Sequence, residues 1–538
     1  MTARFYGRPA GKSKAVPAYP RQRRRTIAGR PPGDALPTAV PDPMRLSPIL
    51  PIPALRTIEG RHALEPLMER AGAAAADIAA AMLGSDRGRV VVLAGPGNNG
   101  GDALVVARRL RERQVTVDVV AAADPSRLPP DAAAAYAALR AAGQEFLAAP
   151  PAAKPALIVD GLFGIGLARP IAAPYAQWIE WANASGAPIL ALDMPSGLDA
   201  ATGVAGGPTI VATATATFIA LKPGLLTAGG PDHCGDISVH ALGIGADIDP
   251  STGLRLEWPG LAIDLPAVLA RRRRATHKGS FGTVCIVGGA QGMVGAPLLA
   301  GRAALRAGAG RVVIGFAADD PPRVDPVAPE LMLRSAEALD QGADCWVVGP
   351  GLARNDRAQA LTADAIAREQ PLVLDADALN IVATDDALQR AIVMRGAPTL
   401  LTPHPAEAGR LLRGDTAAIQ ADRVGSAISL ATTLRAHVVL KGNGSIVARP
   451  DGTFDINATG NPALATSGSG DVLAGILGAL LAQGVDPATA MRIGVCLHGA
   501  AADALVAQGV GPLGVCASEV IDAARALIND AARPPARR

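Results

Sequence analysis

Short apolar runs alternate with helical patterns along most of this 538-residue chain, and that alternation limits the possible folds more than any other feature. The runs Arg89–Ala94, Val115–Ala121, Pro155–Asp160, Ala187–Asp193, Thr283–Val287, Arg311–Phe316, Cys345–Val348, Leu372–Asp375, Thr399–Thr402 and Ala436–Lys441 read as strands. Most are apolar almost throughout, so both faces need covering, which indicates a mostly parallel sheet between two helical layers. Helical patterns at Asp102–Arg113, Tyr175–Ala184, Ala296–Arg306, Arg423–Leu434, Val472–Gln483 and Ala488–Ala507 supply those layers. The series occurs twice, on either side of a mixed segment at 243–276 that carries the basic run Arg271–Arg274. A chain this long exceeds one ordinary core. We therefore expect an α/β protein of two three-layer αβα domains, at residues 44–260 and 261–538.

Residues 1–43 are rich in Pro, Gly and Arg, without periodicity, and read as a disordered tail. The tail is either a solvated extension or lies upstream of a true start at Met44. It holds nine basic side chains against two acidic ones, which leaves 42 basic and 46 acidic from residue 44 onward, a net charge of −4. That balance and the scarcity of aromatic residues argue against a nucleic-acid partner. The five cysteines are scattered and odd in number, which reads as a reduced, cytoplasmic chain without disulfides or a zinc site. No uncharged apolar run is long enough to span a bilayer, so no membrane partner is expected. A homo-oligomer is expected.

In the first half, four segments at strand ends would converge in a doubly wound sheet. They are Gly95-Pro96-Gly97-Asn98-Asn99-Gly100-Gly101-Asp102, Asp160–Pro170, Asp193–Asp199 and Leu221–Gly224. Asp160 and Asp193 each end a buried strand, where a carboxylate needs a partner. A hard cation would serve Asp160, with oxygens from Asn99 and Ser196; helix capping is the alternative. In this order the segments, with Leu67–Gly72 before them, resemble the YjeF N-terminal family, the NAD(P)H-hydrate epimerases. The resemblance covers about residues 55–245. It implies a Rossmann-like domain in which Asn98, Asn99, Gly100, Gly101 and Asp102, and the loop of Gly164, Ile165, Gly166, Leu167, Ala168, Arg169 and Pro170, hold the hydrated dinucleotide. It places potassium on Asn99, Asp160 and Ser196 and makes Asp193 the acid/base group, with Lys222 as a weaker second candidate. The family loop usually continues Gly-Asp-Gly, whereas this chain has Gly101-Asp102-Ala103.

The second half ends in the loop Gly460–Asp471, followed at once by the apolar run Val472–Leu477. Free N–H groups at a helix start suit a phosphate, and a carboxylate there can take the proton of a hydroxyl under phosphorylation. Other pieces are His277–Gly282, Gly288–Pro297, Gly349-Pro350-Gly351, Asp375–Asn380, Thr402–Glu407 and Lys441–Ser445. Together they resemble the ribokinase-like superfamily, and within it the YjeF C-terminal, ADP- or ATP-dependent NAD(P)H-hydrate dehydratases, over about residues 265–530. The resemblance implies that Lys441, Gly442, Asn443, Gly444, Ser445 and Gly470 contact the adenine nucleotide. It puts Ala296, Gly351, His404 and Asp471 on the hydrate, with Asp471 as base and Mg²⁺ on the nucleotide. The loop ends Gly468-Ser469-Gly470-Asp471 where the family commonly has Gly-Met-Gly-Asp. The expected function is bifunctional: R- and S-NADHX or NADPHX are interconverted upstream, and the S form is dehydrated downstream at the expense of ADP or ATP. A vitamin-precursor kinase of the same fold, or a non-catalytic upstream module, is the competing reading.

Overall fold

The computed structural model describes residues 46–84, 88–167, 169–245, 248–249, 253–269, 274–339 and 342–532. The tail 1–43, Ala168 and Arg271–Arg273 lie outside the described residues. Seven parallel strands form the first sheet, in the order Phe146–Leu147, Val117–Ala121, Val90–Ala94, Leu157–Gly161, Ile189–Leu192, Ala214–Phe218, Asp236–His240. Val90–Ala94 is the pivot, with Val92 in register with Val119 on one side and Val159 on the other. The loops after Val90–Ala94 and Leu157–Gly161 therefore part there and open a crevice at the carboxyl ends.

The second sheet has ten strands, from Met332–Ser335 through Arg311–Phe316, Thr283–Gly288, Cys345–Val348, Leu372–Leu374, Thr399–Leu401, His437–Leu440, Ile446–Ala448 and Phe454–Asn457 to Arg255–Leu256. It is parallel except where Ile446–Ala448 pairs antiparallel with both neighbours. This hairpin pattern lies outside the sequence expectation, because its short runs carry polar residues between them. Arg255–Leu256, from the mixed segment between the two series, pairs in parallel with Ile456 and Asn457.

Alternate residues on each strand enter different cores, as a period of two requires. Val90 and Val92 face the layer of Leu67–Leu83 and Asn98–Glu112, while Val91 and Leu93 face that of Tyr175–Ala184. Val284 and Ile286 meet the helices Gly295–Arg306 and Ser469–Ala482, while Cys285 and Val287 enter the opposite core. That last core continues into the first half, so Met194, Leu198, Leu225 and Leu226 are buried in one cluster with Leu440, Ile446 and Ala448. Helix Pro487–Ala507 is apolar and long enough to cross a membrane, but most of it is buried against Ser469–Ala482 and its neighbours.

Two candidate active sites

Helix Asn98–Glu112 begins four residues earlier than its apolar pattern predicts, so the Asn-Asn-Gly-Gly loop is its first turn. That turn and the Leu162–Leu167 loop flank a cleft of about 950 Å³ at the pivot of the first sheet. Asn98, Asn99, Asp102, Gly164, Ile165, Gly166, Leu167, Arg169 and Asp193 line it. Gly100 and Gly101 are buried beside Gly95 and beside Met68 and Ala132, and Pro170 is exposed outside the lining. Asn99 is buried, and neither its Oδ1 nor its Nδ2 has a hydrogen-bond partner within the protein. Such a buried amide needs a ligand to complete its bonding.

Asp193 follows strand Ile189–Leu192 with φ of +62°, a strained conformation for a non-glycine residue. Lys222 is fully buried and donates to Asp193 Oδ1, to Thr217 Oγ1 at 2.8 Å and to the carbonyl of Phe218 at 2.8 Å. It is no surface charge; it fixes the carboxylate from behind, outside the cleft lining. Asp160 is fully buried and already bonded to neutral donors: Ser196 Oγ at 2.6 Å, Ser196 N at 2.8 Å and Leu162 N at 3.2 Å. Burial nevertheless pushes its carboxyl up to about 6, against the lowering effect of those bonds.

Sequence reasoning overlooked Glu59, which helix Ile52–Arg61 adds to the cleft wall. Burial raises the Glu59 carboxyl, helped by the charge of Asp193, and burial raises Asp102 well above the usual range. Among the five carboxyls that line the cleft, Glu59 and Asp102 are inclined to hold protons and are coupled to Asp193, an arrangement suited to proton handling. The periodicity of residues 52–61 carries no sign of this, because Glu59 reads there as an ordinary polar position.

In the second sheet the pieces meet around Lys441. Its Nζ donates to Asp375 Oδ1 at 2.8 Å, and its N–H donates to the carbonyl of Pro403 at 2.9 Å. Asp375 is buried and also accepts from Thr402 Oγ1 at 2.8 Å. Helix Ser469–Ala482 opens three residues before the predicted Val472, so Gly470 and Asp471 lie in its first turn with free N–H groups. A Cβ placed on Gly470 would stand 3.2 Å from Lys441 Nζ and 3.7 Å from Asp375 Oδ2. Burial, then the charge of Asp375, push the Asp471 carboxyl up to about 7. Burial alone would lower the Lys441 ammonium, but Asp375 and Glu407 outweigh it and raise it.

Gly351 packs against Ala296 across the other switch point, and the carbonyl of Asp375 lies against Gly349. His404 caps helix Pro405–Leu411 through Nδ1, with its ring half exposed and Nε2 3.2 Å from buried Glu407. Gly442 and Asn443 are exposed at the rim. Asp375, which directly follows strand Leu372–Leu374, belongs to a segment the sequence marks as part of this site but carries no role there.

Two family profiles match separate parts of the chain. The profile described as YjeF-related protein N-terminus matches residues 64–224, and the one described as NAD(P)H-hydrate dehydratase matches residues 284–524. Fold and matches together define a class of α/β enzymes that join a YjeF-type first half to a dehydratase-type second half. The bifunctional NAD(P)H-hydrate repair enzyme Nnr of Coxiella burnetii is 37% identical over 451 residues, covering 82% of this chain and 90% of its own. That of Escherichia coli is 37% identical over 477 residues, covering 87% and 90%. The solved ADP/ATP-dependent NAD(P)H-hydrate dehydratase of Bacillus subtilis, co-crystallized with ATP/Mg²⁺, is 32% identical, with a TM-score of 0.46, and covers 50% of this chain and 97% of that one. The chain belongs to the family of bifunctional NAD(P)H-hydrate repair enzymes.

Proposed function

We propose that the cleft of the first sheet epimerises R- and S-NAD(P)HX, and that the Lys441–Asp471 site of the second dehydrates the S form with ADP or ATP. The observation that carries this is Asp471 itself. A carboxyl held near neutrality stands in a helix's first turn, beside a lysine and among free N–H groups. Asp471 takes the proton of the C6 hydroxyl as its oxygen attacks the terminal phosphoryl group of the nucleotide. The Gly470 turn and Lys441 stabilise the charge on the transferring group. The Lys441–Ser445 loop holds the nucleotide, and Mg²⁺ arrives with it as part of the substrate. Ala296, Gly351 and His404 seat the hydrate. Phosphate then leaves C6, a proton leaves C5, and the ring double bond is restored.

In the first site, Asp193, held by Lys222, moves the proton that opens the C6–N1 hemiaminal and lets it reclose on the other face. Asn98, Asn99, Asp102, the Gly164–Leu167 loop and Arg169 bind the dinucleotide. A potassium ion would fit Asn99 Oδ1, whose bonding is incomplete, with buried Asp160 and the Ser196 hydroxyl, which are bonded to each other, as its further oxygen ligands. There it would supply positive charge toward substrate oxygens. Four buried free thiols fit a reducing compartment such as the cytoplasm.

The deciding assay supplies S-NADHX, Mg²⁺ and ADP or ATP, and follows return of the reduced-nicotinamide absorbance together with inorganic phosphate. Asp471→Ala abolishes the return, and Asp193→Ala abolishes only the use of the R form. A stable phosphate ester in place of inorganic phosphate would make the site a kinase.

A further inference from the structure

The segment that holds the first site's lysine also holds the loop at the second site. Lys222 leads into the short turn Pro223–Leu225, and the chain continues through Leu226, Thr227 and Ala228. Thr227 is fully buried, and its Oγ1 lies 3.2 Å from the carbonyl of Asn443 and 3.0 Å from that of Gly444. The same oxygen accepts from Arg423 Nε at 2.9 Å. Arg423, itself buried, reaches the carbonyl of Lys441 at 3.2 Å through Nη2 and Gln420 Oε1 at 2.9 Å through Nη1. Asn443 Nδ2 donates back to the carbonyl of Ala228 at 2.8 Å. The fit is tight: a Cβ on Gly444, whose φ is +61°, would stand 1.9 Å from the carbonyl oxygen of Leu226. Glycine is required at 444 because the other half's backbone lies against it.

We propose that Thr227, a residue of the first half, is a positioning residue for the nucleotide site of the second. This rests on the assignment of Lys441–Ser445 to the nucleotide. The loop's two glycines, Gly442 and Gly444, give it little stiffness of its own, yet its amides must face a phosphate in one arrangement. The single proton of the Thr227 hydroxyl is shared between, or alternates over, the carbonyls of Asn443 and Gly444, and the Arg423 guanidinium braces that hydroxyl and the carbonyl of Lys441. Losing the hydroxyl removes the donor that holds the Asn443 and Gly444 carbonyls and leaves Arg423 Nε buried without its acceptor.

The test uses the full chain and Mg²⁺-ADP, with binding read by calorimetry and turnover read with S-NADHX. Thr227→Val, close in shape but lacking the hydroxyl, raises Kd and KM for ADP about tenfold, as the loss of one net hydrogen bond implies. Dehydration kcat and R-to-S epimerisation stay near wild type. Thr227→Ser, which keeps the hydroxyl, restores ADP affinity. Thr227→Ala provides the same reading if valine is not accommodated. Unchanged ADP affinity in the Val and Ala variants overturns the proposal, and so does an equal fall in epimerisation, which would signal general loosening. Gly442→Val separates the underlying assignment: crowding Arg423, it distorts the loop directly. If Gly442→Val binds ADP normally, the loop is not the nucleotide site and both readings fall; if it binds ADP weakly while Thr227→Val binds normally, only the proposal falls.

Discussion

A carboxylate in the first turn of a helix is ordinarily more acidic than in water, because the helix N-terminus carries partial positive charge. Asp471 goes the other way, up to about 7, because burial and the nearby Asp375 outweigh the helix end and Lys441. A base works in its deprotonated form, so dehydration should fall as pH drops below about 7, along an acid limb in kcat/KM set by this group. Asp471→Asn should lower turnover by about 10²–10⁴-fold. A raised native pKa also means that the charge costs stability above that pKa, a cost absent once both folded and unfolded forms are protonated. Asp471→Asn should therefore melt higher than wild type at pH 8, with the gap closing toward pH 4; melting curves across that range check the sign. The residue types at this site were legible from Ser467–Asp471 alone. The charge that Asp375 brings against Asp471 was not, because Asp375 lies 96 positions earlier in the chain and meets Asp471 only through the sheet.

Helix Ser469–Ala482 shows how an element aims a site. Gly475, in its second turn, lies so close to helix Gly295–Arg306 that a Cβ there would meet the carbonyl oxygen of Ala300 at 2.1 Å. The contact draws both N-termini to one end of the sheet, and those N-termini carry Ala296, Gly470 and Asp471. Gly475→Ala should part the helices, destabilise the protein by about 1–3 kcal/mol and lower dehydration while epimerisation persists, as thermal melts and the two assays can measure. Both strands and helices were legible as elements, since burial on two faces and a 3.6-residue period are written locally. Helix starts were not: Asn98 and Ser469 precede the apolar stripe, because polar and glycine residues at a ligand-facing first turn carry no period. The strands Ile446–Ala448 and Phe454–Asn457 escaped because polar residues flank and interrupt these short runs.

Across the whole molecule the two halves do not meet as separate bodies. Met194, Leu198, Leu225 and Leu226 are buried with Leu440, Ile446 and Ala448, and strand Arg255–Leu256 completes the second sheet. A shared core couples unfolding, so calorimetry should give one cooperative transition, and two well-separated peaks would show the coupling to be weak. The repeated αβα plan, the glycine loops and the acids Asp160, Asp193 and Asp471 are legible along the chain, because backbone propensity and burial pattern are local properties. The burial of Lys222 against Asp193, the place of Glu59 in the cleft and the contact of Thr227 with Gly444 are not legible there. Those contacts join residues far apart in the chain, and their free energy comes from desolvation and geometry that exist only once the sheets have closed.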